Sequence, residues 1–313
     1  PAVTSAPAMA QDPVTAPPRA PTTVVAPGRS AVKHVATVWA YRELLVNLVR
    51  KELKVRYKNS VLGFVWSLLN PALYLAVFTI VFQVVLGNGI PYFAIYLLSG
   101  LLAWNLFSAS LAGATGSITG GASLVNKVYF PREILPLASV GANCVHFVLQ
   151  AVVLLVAVAL SPIEFDLAWL WLVVPTLVVL IVLTSALAIL LAAVNVYARD
   201  TQHLLELLLL AWFWMTPIVY QWGLPAGKLA SNDLPTWLLL LNPVVPVTLA
   251  LQRALYGVVS FVDGAGNRQL LLPEDGQLWY LRNLGIAGVA SVVLLVVAMR
   301  VFDRLEGNFA EEL

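Results

Sequence analysis

The sequence predicts an all-α polytopic membrane protein, with an N-terminal amphipathic interface helix, six transmembrane helices and re-entrant outer helices between spans five and six. Three observations carry that class. Hydrophobic residues make up 60% of the 313 residues and charged residues 11%, against about 45–50% and about 25% in soluble domains. Too few charges exist to cover a surface in water, and the mean hydropathy is +0.86. Six uncharged or nearly uncharged runs are each long enough for the roughly 20 residues that cross a bilayer.

The elements follow in chain order. Residues 1–30 are rich in Pro and Ala, lack periodicity and are expected to form a disordered cytoplasmic tail. They hold no apolar stretch of the roughly 7–15 residues a signal peptide needs, so the chain is expected to start in the cytoplasm. Residues 36–60 follow as the interface helix. The stretch RELLVNLVRKELKVRYKNSVLGFVWSLLNPALYLAVFTIVF (42–82) is dense in charge up to Lys58 and uncharged from Asn59 onward. At about 100° per residue, Arg50, Glu43, Lys54, Asn47, Lys58 and Lys51 fall on one arc and apolar side chains fill the remainder. Such a helix lies in the membrane interface, its basic face against anionic headgroups. Glu52 and Arg56 fall inside the apolar arc, four apart with the acid first, the favoured order for a helical ion pair. Two compatible readings follow: an anchor that orients the first span, or a docking helix that meets a cytoplasmic partner through Glu52 and Arg56. Gly63 is a candidate bend between the in-plane and spanning parts, and Pro71 should kink the span itself.

The spans are expected at about 61–87, 92–114, 138–161, 168–194, 204–221 and 284–302, within a permease domain of 61–305. Residues 306–313 are expected to be a cytoplasmic tail. The stretch 236–257 is apolar but contains Pro243, Pro246 and Arg253. Two prolines remove backbone donors, so it reads as a re-entrant outer pair of short helices, satisfied by protein or water. With six crossings and both ends inside, fourteen of the 18 Lys and Arg residues lie on the cytoplasmic side, including Lys127, Arg132, Arg199, Arg300 and Arg304. Lys228, Arg253, Arg268 and Arg282 remain outside, which agrees with the positive-inside rule. The outer loop with Glu164 and Asp166 agrees.

Motifs for chemistry are absent. No GxxxxGK[ST], HExxH, GxSxG or dense acidic cluster occurs, and the single Cys144 excludes an intrachain disulfide or a Cys-based metal cluster. GATGSITGG (113–121) lacks the lysine of a phosphate loop and follows a span rather than a strand; it reads as small residues that let a helix end pack closely. His146, beside Asn143 and Gln150, reads as a helix–helix hydrogen-bond partner before a proton relay. The sequence therefore points away from an enzyme and from ion coupling. Energy for uphill transport would come from elsewhere.

At this point the motifs resemble a known family. RELLVNLVRKELKVRYKNSVLGFVWSLLNP, NKVYFPREILPL (126–137), NVYARD (195–200), MTPIVY (215–220) and NPVVPVTLALQRALYG (242–257), in this order, are similar to the permease subunits of ABC-2-type exporters. The resemblance is to the polysaccharide branch that exports O-antigen, teichoic acid and related lipid-linked polymers. It covers nearly everything from about residue 36 to 305. It implies a homodimer in a bacterial inner membrane, paired with two copies of a cytoplasmic ABC ATPase. ATP and Mg would sit on that partner, with no cofactor on this chain and no nucleic acid. It implies that Tyr129, Phe130, Pro131, Arg132 and Glu133 form the main coupling element toward the ATPase, with Arg199 and Asp200 beside it. Determination of topology alone is the competing account of Arg132 and Arg199. The segment 236–257 would be the outer gate. Its Arg253 could meet a carrier pyrophosphate, snorkel to headgroups or pair within the gate.

A polymer channel needs weak, sliding contacts, and flat aromatics provide them against the CH faces of sugars. Trp66, Tyr74, Phe78, Phe82, Trp104, Phe107, Trp212, Phe213 and Trp214 lie inside spans and are the candidate channel lining. Tyr74, Phe78 and Phe82 recur on one face of the first span, where lipid-facing or dimer packing competes with pore lining. The expected cargo is a polyprenyl-pyrophosphate-linked glycan, with a galactan placed first because the composition suggests a high-GC bacterium. The rivals are an ABC-2 exporter of drugs or small lipids, a membrane-embedded polyprenyl-lipid glycosyl or phosphosugar transferase, and a non-catalytic scaffold.

Overall fold

In a computed structural model of the chain, the described residues are 31–58, 65–85, 87, 89–125, 127–128, 130–163, 166–264 and 266–313. The expected tail 1–30, the bend at Gly63, Glu164 and Tyr129 lie outside them.

The chain begins with α1 (Ala31–Ala40) and α2 (Arg42–Tyr57). The apolar arc of α2 divides in two. Leu44, Leu45, Leu48 and Val49 pack into a hydrophobic cluster, whereas Val46 and Val55 stay exposed. The first predicted span is helical as α3 (Trp66–Phe78), with Pro71 inside it. It continues through a wider, π-type turn at Thr79–Val85. Thr79 Oγ1 donates to Leu75 O at 2.6 Å, where helix type changes. Gly87 and Gly89, between the first span and α4, have positive φ, a conformation that glycine adopts without steric cost.

Among the described residues, four helices are long and apolar enough to cross a membrane. α4 (Phe93–Thr115) is apolar on every side and buried almost all round, as a central helix must be. α7 (Ile134–Leu160), α8 (Val173–Tyr197, entered through a 3-10 turn at Leu167–Leu172) and α12 (Gln277–Glu306) complete the four. Between α4 and α7 lie the short helices α5 (Ser117–Gly120) and α6 (Ala122–Val125). Here the GATGSITGG segment packs tightly. A Cβ on Gly113 would sit 2.9 Å from Ser139 Oγ, and one on Gly116 2.6 Å from Gln202 Nε2.

The first expected span is helical over its described residues 66–85, in two segments of 13 and 7 residues. The fifth is shorter than predicted: α9 (Thr201–Trp214) has 14 residues that rise about 21 Å, short of the roughly 30 Å hydrocarbon core. Pro217 explains the early end: it lacks an N–H and biases Thr216 away from helical geometry.

The segment expected to be broken by its prolines forms two short helical pieces that part at Asn242 and Pro243. After α10 (Gly223–Ala230) and a 3-10 turn at Thr236–Leu241, α11 runs from Val244 to Leu255. Pro243 immediately precedes α11 and Pro246 sits in its first turn. Helical N–H groups have no intrahelical acceptor there, so no bond is lost. Every residue of α11 except Arg253 is buried. A further difference is a short antiparallel hairpin, β1 (Ser260–Val262) with β2 (Arg268–Leu270), Phe261 opposite Gln269. The expected tail at 306–313 also carries structure, folding back as α13 (Phe309–Glu312) with Phe309 fully buried.

Candidate functional site

Three places in the bundle hold the residues singled out in the sequence. The first is the end that carries Arg132 and Arg199. Phe130, 5% exposed, is buried in the cluster that also holds Leu48, Ile134 and Phe302, and Pro131 beside it is buried. Arg132 Nη1 donates to Glu306 O at 2.7 Å, and its Nε lies 3.8 Å from Glu306 Oε1. Its guanidinium carbon is 5.8 Å from the centre of the Phe309 ring. Glu133 immediately precedes α7 and is only 3% exposed. Arg199 and Asp200 are exposed in the turn between α8 and α9. Beside them in sequence, Tyr197 donates its hydroxyl to Leu305 O at 2.7 Å and approaches the Phe309 ring at 6.1 Å. The C-terminal residues therefore clasp the predicted coupling segment to the ends of α8 and α12. Sequence reading missed Tyr197, Glu306 and Phe309. The available signal was an aromatic residue just past Gly307, in a segment too short to show periodicity.

Glu52 is exposed on α2. Arg56, grouped with it in the sequence, turns toward α7, where its Nη1 donates to Asn143 Oδ1 at 3.4 Å. Gly141 lets α2 approach, because a Cβ there would lie 2.8 Å from Val49.

The second place is a cavity of about 610 Å³, bordered by α2, α3, α4, α7 and α9. Arg56, Trp66, Tyr74, Asn105, Asn143 and Gln150 face it. Asn105 Nδ2 donates to Gln150 Oε1 at 3.1 Å across α4 and α7. Of the nine aromatics expected to line a path, Trp66 and Tyr74 border this space. Phe78 and Phe82 stack in line with Tyr74, at 5.9 and 5.7 Å between successive rings. They are half-buried against the core, and the row continues through Phe93 and Tyr96 to Tyr256. Trp104 and Phe107, at 8% and 0% exposure, are buried in the core and do not border this space. They pack edge-on against Phe213 and Trp212 at 5.4 and 5.0 Å. Residue type and depth are the same for a core and a lining aromatic, so only the packing separates them. Trp214 is exposed.

The third place is the opposite end, around α11. Asn242 Oδ1 accepts from the Val244 N–H at 3.0 Å and from Trp212 Nε1 at 2.8 Å. Its Nδ2 donates to Thr216 Oγ1 at 3.0 Å. One side chain thereby starts α11 and ties it to the end of α9. At the other end of α11, Tyr256 donates to Pro91 O at 2.6 Å. Arg253 pairs within this segment: Nη1 donates to Gly257 O at 2.6 Å, and the guanidinium lies 4.0 Å from the Trp169 ring centre. Pro243 and Pro246 act as the helix start described above.

The family described as ABC-2 type transporter matches residues 43–256. The chain is 34% identical to the O-antigen export system permease protein RfbA of Myxococcus xanthus, over 90% of this chain and 100% of that protein. It is 28% identical to the protein of the same name from Klebsiella pneumoniae, over 86% and 94% of the two chains. It is also 24% identical to the polysialic acid transport protein KpsM of Escherichia coli, over 68% and 81%. A family match across some two-thirds of the chain and a relative matched along its whole length lead to one conclusion: the chain belongs to the ABC-2 type transporter family.

Proposed function

We propose that the chain is the transmembrane permease subunit of an ATP-driven exporter that moves a lipid-linked cell-envelope polysaccharide from the cytoplasm across the inner membrane. The similarity to an O-antigen export permease along that protein's whole length carries the reading. The absence of a phosphate-binding loop from the sequence supports a separate ATPase. In this reading two copies of the chain pair with two copies of that ATPase, and both termini face the cytoplasm. Six crossings include Trp66–Val85 and α9, with α11 and its 3-10 lead as the outer gate. Phe130–Glu133, Arg199 and Asp200 form the surface presented to the ATPase, and α2 lies in the interface beside them. A galactan is the first cargo to test, ahead of O-antigen and teichoic acid types.

The deciding experiment is purification of the tagged protein from its native membranes in mild detergent, with mass spectrometry of what accompanies it. A near-equimolar ATPase with a phosphate-binding loop is expected, together with loss of surface polysaccharide on depletion of the chain. An intact membrane protein with no ATPase would overturn the proposal in favour of an enzyme or a scaffold. An ATPase without any polysaccharide defect would redirect it to an exporter of drugs or small lipids.

A further inference from the structure

The cavity walled by α2, α3, α4, α7 and α9 is lined unlike the rest of the bundle. A guanidinium, three amides and two open aromatic faces meet in a space of about 610 Å³, within the roughly 300–1,000 Å³ typical of ligand sites. Polar side chains inside a membrane bundle are costly and tend to mark a pathway or a site.

The groups are held in place. Asn143 Nδ2 donates to Ser139 O at 2.9 Å, which orients Oδ1 toward Arg56 at 3.4 Å. A guanidinium has five N–H donors in a planar fork. Among the described residues Arg56 gives one hydrogen bond, and a long one. The Asn105–Gln150 pair uses one amide N–H and one amide oxygen, which leaves the Asn105 oxygen and the Gln150 nitrogen outside that bond, an acceptor and a donor on facing helices. Trp66 and Tyr74 are 46% and 48% exposed, so their ring faces are open to a ligand.

Each component matches one part of a single ligand. Phosphate oxygens pair with a guanidinium fork through parallel, charge-assisted hydrogen bonds. Sugar hydroxyls both donate and accept, as a pair of amides requires. The CH face of a pyranose lies flat on an aromatic ring. We propose that this cavity binds the phosphate-linked sugar at the head of a lipid-linked glycan. Arg56 takes the phosphate, Asn105 and Gln150 take sugar hydroxyls, and Trp66 and Tyr74 stack on the ring. The identification of that sugar as cargo rests on the export reading; the site itself rests on the cavity.

The test uses the full chain in phosphatidylcholine nanodiscs and equilibrium binding of a radiolabelled farnesyl-diphosphate-linked hexose. Wild type binds the probe. Arg56→Gln weakens it about tenfold or more, the loss expected for a charged hydrogen-bonding partner, and Arg56→Lys falls between the two. Gln150→Leu weakens the hexose-bearing probe and leaves farnesyl diphosphate unchanged. Equal binding to wild type and Arg56→Gln overturns the site. Equal displacement by phosphatidylglycerol built into the nanodisc also overturns it, assigning the pocket to a bilayer headgroup. An independent variant guards against misfolding at Arg56. Ala109→Cys, on the cavity wall, in a Cys144→Ser background should be shielded from a water-soluble maleimide by the probe; binding without shielding places the ligand elsewhere and refutes the proposal. Co-purification of the ATPase scores the export reading separately. An ATPase present with no probe bound sinks the site alone, and Arg56-dependent binding without an ATPase sinks the export reading alone.

Discussion

Replacing Asn242 with alanine should loosen the joint between α9 and α11. Asn242 Oδ1 is the side-chain acceptor for the Val244 N–H at 3.0 Å, the first turn of α11. Loss of such a cap costs about 1 kcal/mol. The same oxygen accepts from Trp212 Nε1 at 2.8 Å, and an indole has no other polar atom with which to compensate. Leaving a buried donor unpaired costs about 1–3 kcal/mol; Trp212 is half-buried, so the lower end applies. The combined loss is about 2 kcal/mol, tempered by the roughly 0.6 kcal/mol average of interhelical hydrogen bonds in membranes. Asn242→Asp provides the contrast. It keeps both acceptor contacts and places a negative charge at a helix N-terminus where it is favoured; what it gives up is the donor to Thr216, whose own hydroxyl proton goes to Trp212 O at 2.9 Å. Unfolding titrations in mixed micelles, followed by tryptophan fluorescence, measure both variants against wild type. Alanine should destabilise by about 1–2 kcal/mol and aspartate by clearly less. An alanine variant within about 0.5 kcal/mol of wild type, the bottom of the range for losing a cap, would refute the reasoning, as would an aspartate variant that falls equally far.

Other perturbations test the remaining assignments. Phe107→Ala should cost about 3–5 kcal/mol, as for a large core aromatic, whereas Tyr74→Ala, at 48% exposure, should leave the unfolding midpoint nearly unchanged; similar losses for both would contradict the division between core and cavity. Gly100→Ala places a Cβ 2.8 Å from Gln252 Nε2 and 3.2 Å from Ile218, which should cost about 1–3 kcal/mol by overpacking. Gly120→Ala, with nothing within 4 Å, should be neutral or stabilising in the same titration. Phe309→Ala should release the C-terminal clasp, and limited trypsinolysis should then cut after Arg132 and Arg304 faster than in wild type; an unchanged cleavage pattern would show that the clasp does not shield this end.

The elements differ in how far they could be read from residues alone. Predicted spans 92–114, 138–161, 168–194 and 284–302 correspond to helices at Phe93–Thr115, Ile134–Leu160, Leu167–Tyr197 and Gln277–Glu306. Length and uninterrupted apolarity place such helices, because every backbone polar group in hydrocarbon must be satisfied within its own segment. The amphipathic division of α2 was legible for the same kind of reason, since periodicity is local. Pro243 and Pro246 were legible as the reason 236–257 is not one long helix; that they also begin α11, with Asn242 capping the Val244 N–H, depends on contacts the prolines do not carry. The tail at 306–313 has too few residues for any pattern to precede its contacts.

The candidate sites follow the same division. The sequence by itself determined that this is a largely apolar, mostly helical membrane chain, that basic residues crowd the stretch up to Lys58, and that an amphipathic helix precedes the first apolar run. These properties arise from composition and local repeat, which a chain carries before it folds. Only the tertiary structure decided that Arg56 reaches Asn143, 87 positions away, and that Arg132 is clasped by Glu306, 174 positions away. It alone buried Trp104 and Phe107 while leaving Trp66 and Tyr74 at a cavity. An aromatic or an arginine has the same intrinsic chemistry in a core, a clasp or a site; its partner comes from another helix, and no periodicity within its own helix specifies which one.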